Sequence, residues 1–456
     1  VSLSKSSSPN QQRKIPWYSV CQFALSALAV FYLLSGAFGL VVFGVTSTLV
    51  DAYPGADPLA MLMMAAGMFA GGLLVLPSAG YALRHILGRE DKEPQAVSWG
   101  LRPTLLIFLF PLTLLLGYLV IDVQALSWLV IPPLHVAAIG LPVLWVLYLG
   151  VRDLPLGSPQ RRWGVFGGGL VLSPLVVIVA EILALIGFVI LGVTFILGQP
   201  ELIQELSNLA EWISVSGPNE EAMLERLGPY LTKPGVIFAV IVFAAIIVPL
   251  IEEALKPIGV WLLAGRNISP AEGFAAGALS GAGFALFESL AISVSAEDWI
   301  VLVVGRVGTA MLHILTTALT GWALALAWGR SRYLNLGLTY LGVILIHGTW
   351  NGLALLYSFD LIAEEFGGEA SNVPLPWLAE AAPYVLGVMA AASLLAIIAL
   401  NRRFARMSEA PDTIDGSSVE PQIPEKEYNP PEFAPAHSGE TEGEELHNDG
   451  VDIIPD

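Results

Sequence analysis

The chain has 456 residues, 55% of them hydrophobic and only 13% charged, with a mean hydropathy of +0.70. Soluble domains carry about 25% charged residues, so this composition excludes an ordinary cytosolic enzyme, a disordered chain and a coiled coil, and it points to a polytopic membrane protein. The single cysteine, Cys21, excludes a disulfide scaffold, and the net charge of −18 comes with no basic patch for nucleic acid.

In chain order, residues 1–18 read as a polar cytoplasmic segment. The run that follows is too long for the apolar core of a cleaved signal peptide. Ten apolar runs then reach the length of about 20 residues that a helix needs to span a bilayer. They lie near 19–46, 58–82, 103–120, 128–150, 165–197, 235–265, 271–296, 299–329, 334–358 and 383–400. The expected fold is an all-α, polytopic membrane bundle of about ten helices. The fifth run is long enough to span with tilt or to break near Pro174. Five spans occupy 19–198, and an external loop fills 199–234. Four further spans occupy 235–358, and 359–400 holds another external loop and the last span. In the 199–234 loop, Leu202, Leu206, Leu209 and Ile213 recur at helical spacing opposite Glu201, Glu205 and Glu211. That pattern is an amphipathic helix, either lying on the outer surface or packed on its own bundle. Residues 401–456 are rich in Pro and acidic groups and poor in aromatics, and are expected to be a disordered cytoplasmic tail. From Met407 on, fourteen Asp and Glu face only Lys426, so most of the net charge belongs to this tail. No internal repeat is apparent, which weighs against transporter folds built from duplicated halves.

Basic residues set the orientation. In a ten-helix reading, 17 of the 21 Lys and Arg fall on one side, among them Arg13, Arg89, Arg161, Arg266, Arg332 and Arg402. The opposite loops hold Arg226 and Lys233, and Lys256 and Arg306 lie inside spans. The positive-inside rule then puts both termini in the cytoplasm.

An ionisable group at the bilayer centre costs about 2.5–3.5 kcal/mol even on the lenient insertion scale. Such groups nevertheless gather in four consecutive runs. The sixth reads VPLIEEALKP, with Glu252, Glu253 and Lys256, and the seventh reads GFALFESLA, with Glu288. The eighth carries Arg306 and His313, and the ninth reads LIHGTWNGLA, with His347 and Asn351. Glu252, Glu253, Glu288, His313 and His347 each lie within about five residues, roughly 8 Å, of the middle of their run. They therefore share one layer, and a common buried cavity is the cheapest way to house them. Their oxygen and nitrogen donors suit a divalent metal such as zinc, with one carboxylate left as general base. His347 and Asn351 share a helix face, as do His313 and Thr317, and Glu252 stands in the favourable order four residues before Lys256. Glu252 and Glu253 point about 100° apart, which argues for different roles. Pro257 removes a backbone hydrogen bond and is expected to open the sixth helix beside the site. Gly273, Gly277 and Gly281 form a stripe for close helix packing. Arg306 either holds a substrate carboxylate or snorkels outward. His135 and Glu181, in earlier runs, belong to no motif and read as structural or access-lining.

The set EEALK at 252–256, FALFE at 284–288, HILTT at 313–317 and HGTWN at 347–351 resembles the PrsW family of membrane-embedded proteases, which is related to the CAAX-processing (Abi) proteases. The resemblance covers about 235–358. It implies a bundle of catalytic helices that hydrolyses peptide bonds at or within the membrane. The implied substrate is a membrane-anchored protein, with an anti-sigma factor as the better-known case, and the implied site is the bacterial cytoplasmic membrane. Those relatives carry a His where this chain has Glu288. On this reading Glu252 is the general base, and Glu288, His313 and His347 hold the metal. Glu253 and Lys256 fix geometry and charge, and Asn351 steadies the oxyanion. A metal-free glutamate mechanism stays open. The alternative from another class is a proton- or ion-coupled transporter, since intramembrane Glu/His relays serve pumps too. A catalytically dead scaffold is a weaker rival.

Overall fold

Prolines and capping side chains start most of the helices. In the computed structural model, which describes residues 16–49, 57–89, 103–216, 226–228, 230, 233–292, 298–365 and 375–409, Asp57 accepts hydrogen bonds from the amides of Leu59 and Ala60 just ahead of Pro58. Ser269 and Glu272 form a reciprocal capping box around Pro270. Each device satisfies amides that a helix start leaves unpaired.

The helices are α1 (Trp17–Leu49), α2 (Pro58–Ile86), α3 (Leu109–Val120), α4 (Gln124–Val151), α5 (Pro159–Leu197), α6 (Pro200–Ser216), α7 (Pro234–Trp261), α8 (Pro270–Ala291), α9 (Trp299–Arg330), α10 (Tyr333–Glu365) and α11 (Pro376–Glu409). No strand occurs among the described residues. Nine of these helices are long and apolar enough to cross a membrane, so the chain is a multi-pass, all-α membrane protein. The third apolar run departs from the expected single helix. It is a 3₁₀ segment, Pro103–Phe108, followed by the 12-residue α3. Pro111 has no N–H to offer the carbonyl four residues back, which removes one α-helical hydrogen bond near the changeover from the 3₁₀ segment. The tighter 3₁₀ rise stretches the pair to roughly 30 Å, still about the thickness of the hydrocarbon core.

Two π-turns accommodate two other prolines. Residues Gly168–Leu172 of α5 and Phe243–Ile247 of α7 form π-helical turns that immediately precede Pro174 and Pro249. The widened turn absorbs the hydrogen bond and the space that each proline removes. α5 consequently does not break at Pro174 but runs on to Leu197.

α8 is the central helix, buried on nearly every face. Its small residues make that possible. A Cβ on Gly281 would stand 2.7 Å from the carbonyl oxygen of His313 and 2.9 Å from Cβ of Thr317. On the other side, a Cβ on Gly283 would meet the Leu170 amide and the Phe166 carbonyl at 2.6 Å. α8 therefore lies backbone-to-backbone against α9 and the π-turn of α5, as small-residue packing requires. Large apolar side chains such as Phe31, Leu191, Leu345 and Val388 are exposed on the outer helices, the surface that lipid covers. In α6, Leu209 is buried and Glu205 pairs with Lys233 at 2.5 Å. Leu206 and Ile213 of the same apolar face stay exposed. The tail expected to be disordered beyond 409, and the first 15 residues, lie outside the described residues.

Candidate active site and metal centre

α7 delivers the first three polar residues where its helix is interrupted. Pro257 ends the α-helical hydrogen bonding of α7 at Leu255, and a short turn, Ile258–Trp261, follows. Two carbonyls left free by that interruption are satisfied by serines. Ser173 Oγ donates to the Leu255 carbonyl at 3.0 Å, and Ser280 Oγ donates to the Lys256 carbonyl at 2.7 Å. The expected opening of the helix is present, and its backbone cost is offset by α5 and α8.

Lys256 is the hub. Its side chain is fully buried, and Nζ lies 2.7 Å from Glu252 Oε2, 2.9 Å from Glu253 Oε1, 2.9 Å from His313 Nδ1 and 3.3 Å from His347 Nδ1. It also lies 5.0 Å from the centre of the Phe284 ring. Each histidine has a carboxylate behind it. Glu288 Oε2 is 2.7 Å from His313 Nε2, and Glu253 Oε1 is 2.9 Å from His347 Nδ1. Arg306 secures Glu288 from the far side at 2.9 Å and donates through Nε to Ser289 Oγ at 3.1 Å. A carboxylate on one imidazole nitrogen fixes the ring and leaves the other nitrogen as the donor. The two rings meet edge to face, 5.2 Å apart.

Donor atoms of Glu252, His313 and His347 all lie within 4.8 Å of one another, and all three residues are buried. Ligands of one zinc ion stand about 2.0–2.2 Å from it, so small side-chain adjustments bring these three onto a common ion. Two oxygens strengthen the fit: Glu252 Oε2 and Glu253 Oε2 are buried without a hydrogen-bond partner. Lys256 meets Glu252 Oε2 as a close ion pair at 2.7 Å. Orphaned carboxylate oxygens beside two imidazoles suit a divalent cation, with which the Lys256 ammonium competes for the same donors.

The other residues singled out from the sequence take varied places. Glu288 stands behind His313 rather than with the three-donor group. Asn351 Nδ2 donates to the Ala244 carbonyl at 2.8 Å, so it satisfies the π-turn of α7. Arg306 neither snorkels nor lies free, since Glu288 holds it. Thr317 Oγ1 is buried without a partner. His135 accepts from Trp299 Nε1 at 3.2 Å, apart from this cluster. Glu181 is the residue that sequence reasoning set aside. Its partly buried carboxyl lies near enough to Glu252 for the two to interact electrostatically. The signal was present, a lone Glu in an otherwise apolar span, but it belonged to no motif.

A family model described as PrsW family intramembrane metalloprotease matches residues 163–375. No curated protein and no solved structure matches the chain. The matched segment contains Glu181, the interruption at Pro257 and all four motifs, and over it this chain is similar to the PrsW family intramembrane metalloproteases.

Proposed function

We propose that the protein is a membrane-embedded, metal-dependent endopeptidase of the bacterial cytoplasmic membrane, with both termini cytoplasmic. The observation that carries the reading is the convergence of Glu252, His313 and His347 in one buried layer inside the segment that matches the protease family. His313 and His347 hold a divalent cation, zinc by donor type, with Glu252 beside it. That cation supplies Lewis-acid polarisation of the scissile carbonyl. Glu288 and Glu253 hold the two rings in the donor orientation. Glu253 and Glu288 are each clamped between a histidine and a basic side chain. Glu252 pairs with Lys256 but is hydrogen-bonded to neither histidine, so it is the motif carboxylate placed to take a proton from the attacking water as general base. Asn351 supports the helix geometry instead of the oxyanion. Substrates are membrane-anchored proteins, an anti-sigma factor being the class that the resemblance names.

The test uses purified full-length protein in liposomes with a membrane-tethered reporter peptide. Wild type is expected to cleave and to hold about one equivalent of divalent metal. His347→Ala is expected to lose most of both, because removing one ligand opens the shell. Equal metal content in wild type and variant overturns the metal reading. Ion flux dependent on Glu252, without cleavage, returns the transporter alternative.

A further inference from the structure

α6 reads PELIQELSNLAEWISVS and presents three faces, about 120° apart when each residue turns the helix by about 100°. The first rests on the chain itself. Glu205 pairs with Lys233, Leu209 is buried, and the Trp212 ring lies 6.0 Å from the Arg226 guanidinium. The second is apolar and bare. Ile203, Leu206, Ala210 and Ile213 follow one another at helical spacing, and all of them are exposed. The third is polar, with Gln204, Ser207, Asn208, Glu211 and Ser214 exposed, and it is interrupted only by Val215 in the last turn.

The level at which α6 lies decides what its bare face meets. Leu197, the last residue of the membrane-crossing α5, is exposed, as is Phe195, so this span is apolar to its very end. Only Gly198 and Gln199 separate it from Pro200, a reach of about 10 Å even when fully extended. Lys233, the partner of Glu205, stands at the N-cap of α7, where the next membrane-crossing helix begins. α6 is therefore pinned by two spans at the level where they leave the hydrocarbon. A helix held there, apolar on one side and polar on another, removes its apolar stripe from water by sinking it to the boundary between headgroups and acyl chains. α6 carries Glu201, Glu205 and Glu211 and no Lys or Arg, so the contact is hydrophobic and gains nothing from anionic headgroups.

We propose that α6 is an interfacial anchor, with Ile203, Leu206, Ala210 and Ile213 seated in the bilayer leaflet where α5 ends and α7 begins. Its partner is the acyl-chain boundary of that leaflet, whatever the headgroup charge. Joined to α5 through Gly198 and Gln199 and to α7 through the Glu205–Lys233 pair, the anchor holds the ends of both spans at one depth. α7 also bears the Glu252–Lys256 turn, so the anchor acts on the helix that carries the polar layer. The inference depends on neither the metal nor the protease reading.

The experiment attaches single nitroxide labels to full-length protein carrying Cys21→Ser, reconstituted in phosphatidylcholine liposomes. Leu206→Cys and Ile213→Cys report on the bare stripe, Asn208→Cys and Glu211→Cys on the polar face. Leu191→Cys, on the exposed side of α5, gives the hydrocarbon reference. Power-saturation spectroscopy compares collisions with oxygen, which concentrates in hydrocarbon, and with a water-soluble nickel chelate. Labels at Leu206 and Ile213 are expected to collide mainly with oxygen, as at Leu191, and labels at Asn208 and Glu211 mainly with the chelate. A water-soluble maleimide should modify the unlabelled Asn208→Cys and Glu211→Cys proteins several times faster than Leu206→Cys and Ile213→Cys. Ala210→Cys keeps every large apolar residue of the stripe and replaces either stripe position should that variant fold poorly. The pattern should persist when half of the lipid is phosphatidylglycerol. Equal chelate accessibility on both faces puts the stripe in water and overturns the proposal. Labels at Leu206 and Ile213 that are immobilised and shielded from both reagents mean that a second copy or a substrate segment covers the stripe, which overturns it too. A pattern that needs phosphatidylglycerol overturns the hydrophobic character of the contact.

Discussion

Glu252 and Glu253 are neighbours in sequence, yet substituting each by Gln is expected to damage different properties. Glu253 is fully buried, and its Oε1 takes both Lys256 Nζ and His347 Nδ1 at 2.9 Å. A hydrogen bond to a charged group contributes about 1.5–3 kcal/mol and a neutral one about 0.5–1.5 kcal/mol. Glu253→Gln keeps an acceptor but loses the charge at two contacts, so it should cost about 2–3 kcal/mol of stability. Glu252 meets Lys256 at 2.7 Å, and in Glu252→Gln the lysine still has Glu253 and both histidine nitrogens. That substitution should cost only about 1 kcal/mol of stability. As general base, however, Glu252 contributes about 10²- to 10⁴-fold in rate, or about 2.7–5.4 kcal/mol of barrier. The assay compares turnover of a membrane-tethered fluorogenic peptide in liposomes with the unfolding midpoint in detergent. Glu252→Gln should show a near-normal midpoint and a collapsed turnover. Glu253→Gln should show a lowered midpoint, with turnover per folded molecule reduced about tenfold or less. Wild-type turnover in Glu252→Gln would remove it from the chemistry, and a larger loss of turnover in Glu253→Gln at an unchanged midpoint would transfer the role to Glu253.

Gly281→Val places a branched side chain against the His313 carbonyl. It should cost about 1–3 kcal/mol by overpacking and abolish cleavage, whereas Gly305→Ala, with open space around its Cβ position, should be near neutral by the same measurements. Glu288→Gln should weaken metal binding about 10- to 100-fold by releasing His313, read by competition with a chelator; unchanged affinity would mean that His313 needs no orienting partner. Asn351→Ala should lower stability by about 1 kcal/mol through the lost bond to Ala244. A turnover loss above about 100-fold at normal stability would instead reinstate Asn351 as an oxyanion donor.

Depth was legible in the sequence, and direction around the helix axis was not. A residue's distance along a span follows from its number at 1.5 Å per residue, so the layer shared by Glu252, Glu288, His313 and His347 could be read directly. The faces of buried helices could not, because α8 is apolar or small nearly all round and carries no periodic pattern to orient it. That is why Glu288 was expected among the metal donors but lies behind His313, and why Asn351 was expected at the oxyanion but bonds the Ala244 carbonyl. The carbonyl that Asn351 satisfies exists because α7 carries a π-turn ahead of Pro249. Proline signalled a disturbance there, but which side chain would answer it depends on the packing of α10 against α7. Glu181 escaped for a related reason. Motif logic groups residues within a run, whereas its link to Glu252 joins α5 to α7.

The site's position follows from how the backbone is interrupted and repaired. An unbroken α7 would satisfy its own carbonyls and would have no need of Ser173 or Ser280. With Pro257 in place, those carbonyls require donors from α5 and α8, so the interruption fixes both helices against the Glu252–Lys256 turn. Contact at Ser173 sets the level of Glu181 on α5, and contact at Ser280 sets the adjacent Gly281, whose missing side chain lets the His313 backbone approach. Lys256 then closes the cluster from within, with carboxylates and imidazoles of three helices around a single ammonium. In a bilayer, where neither a free carbonyl nor a free charge is tolerated, repair of the broken helix and neutralisation of the polar layer are one packing problem. Its solution is the geometry that puts two histidines and a carboxylate within reach of one ion.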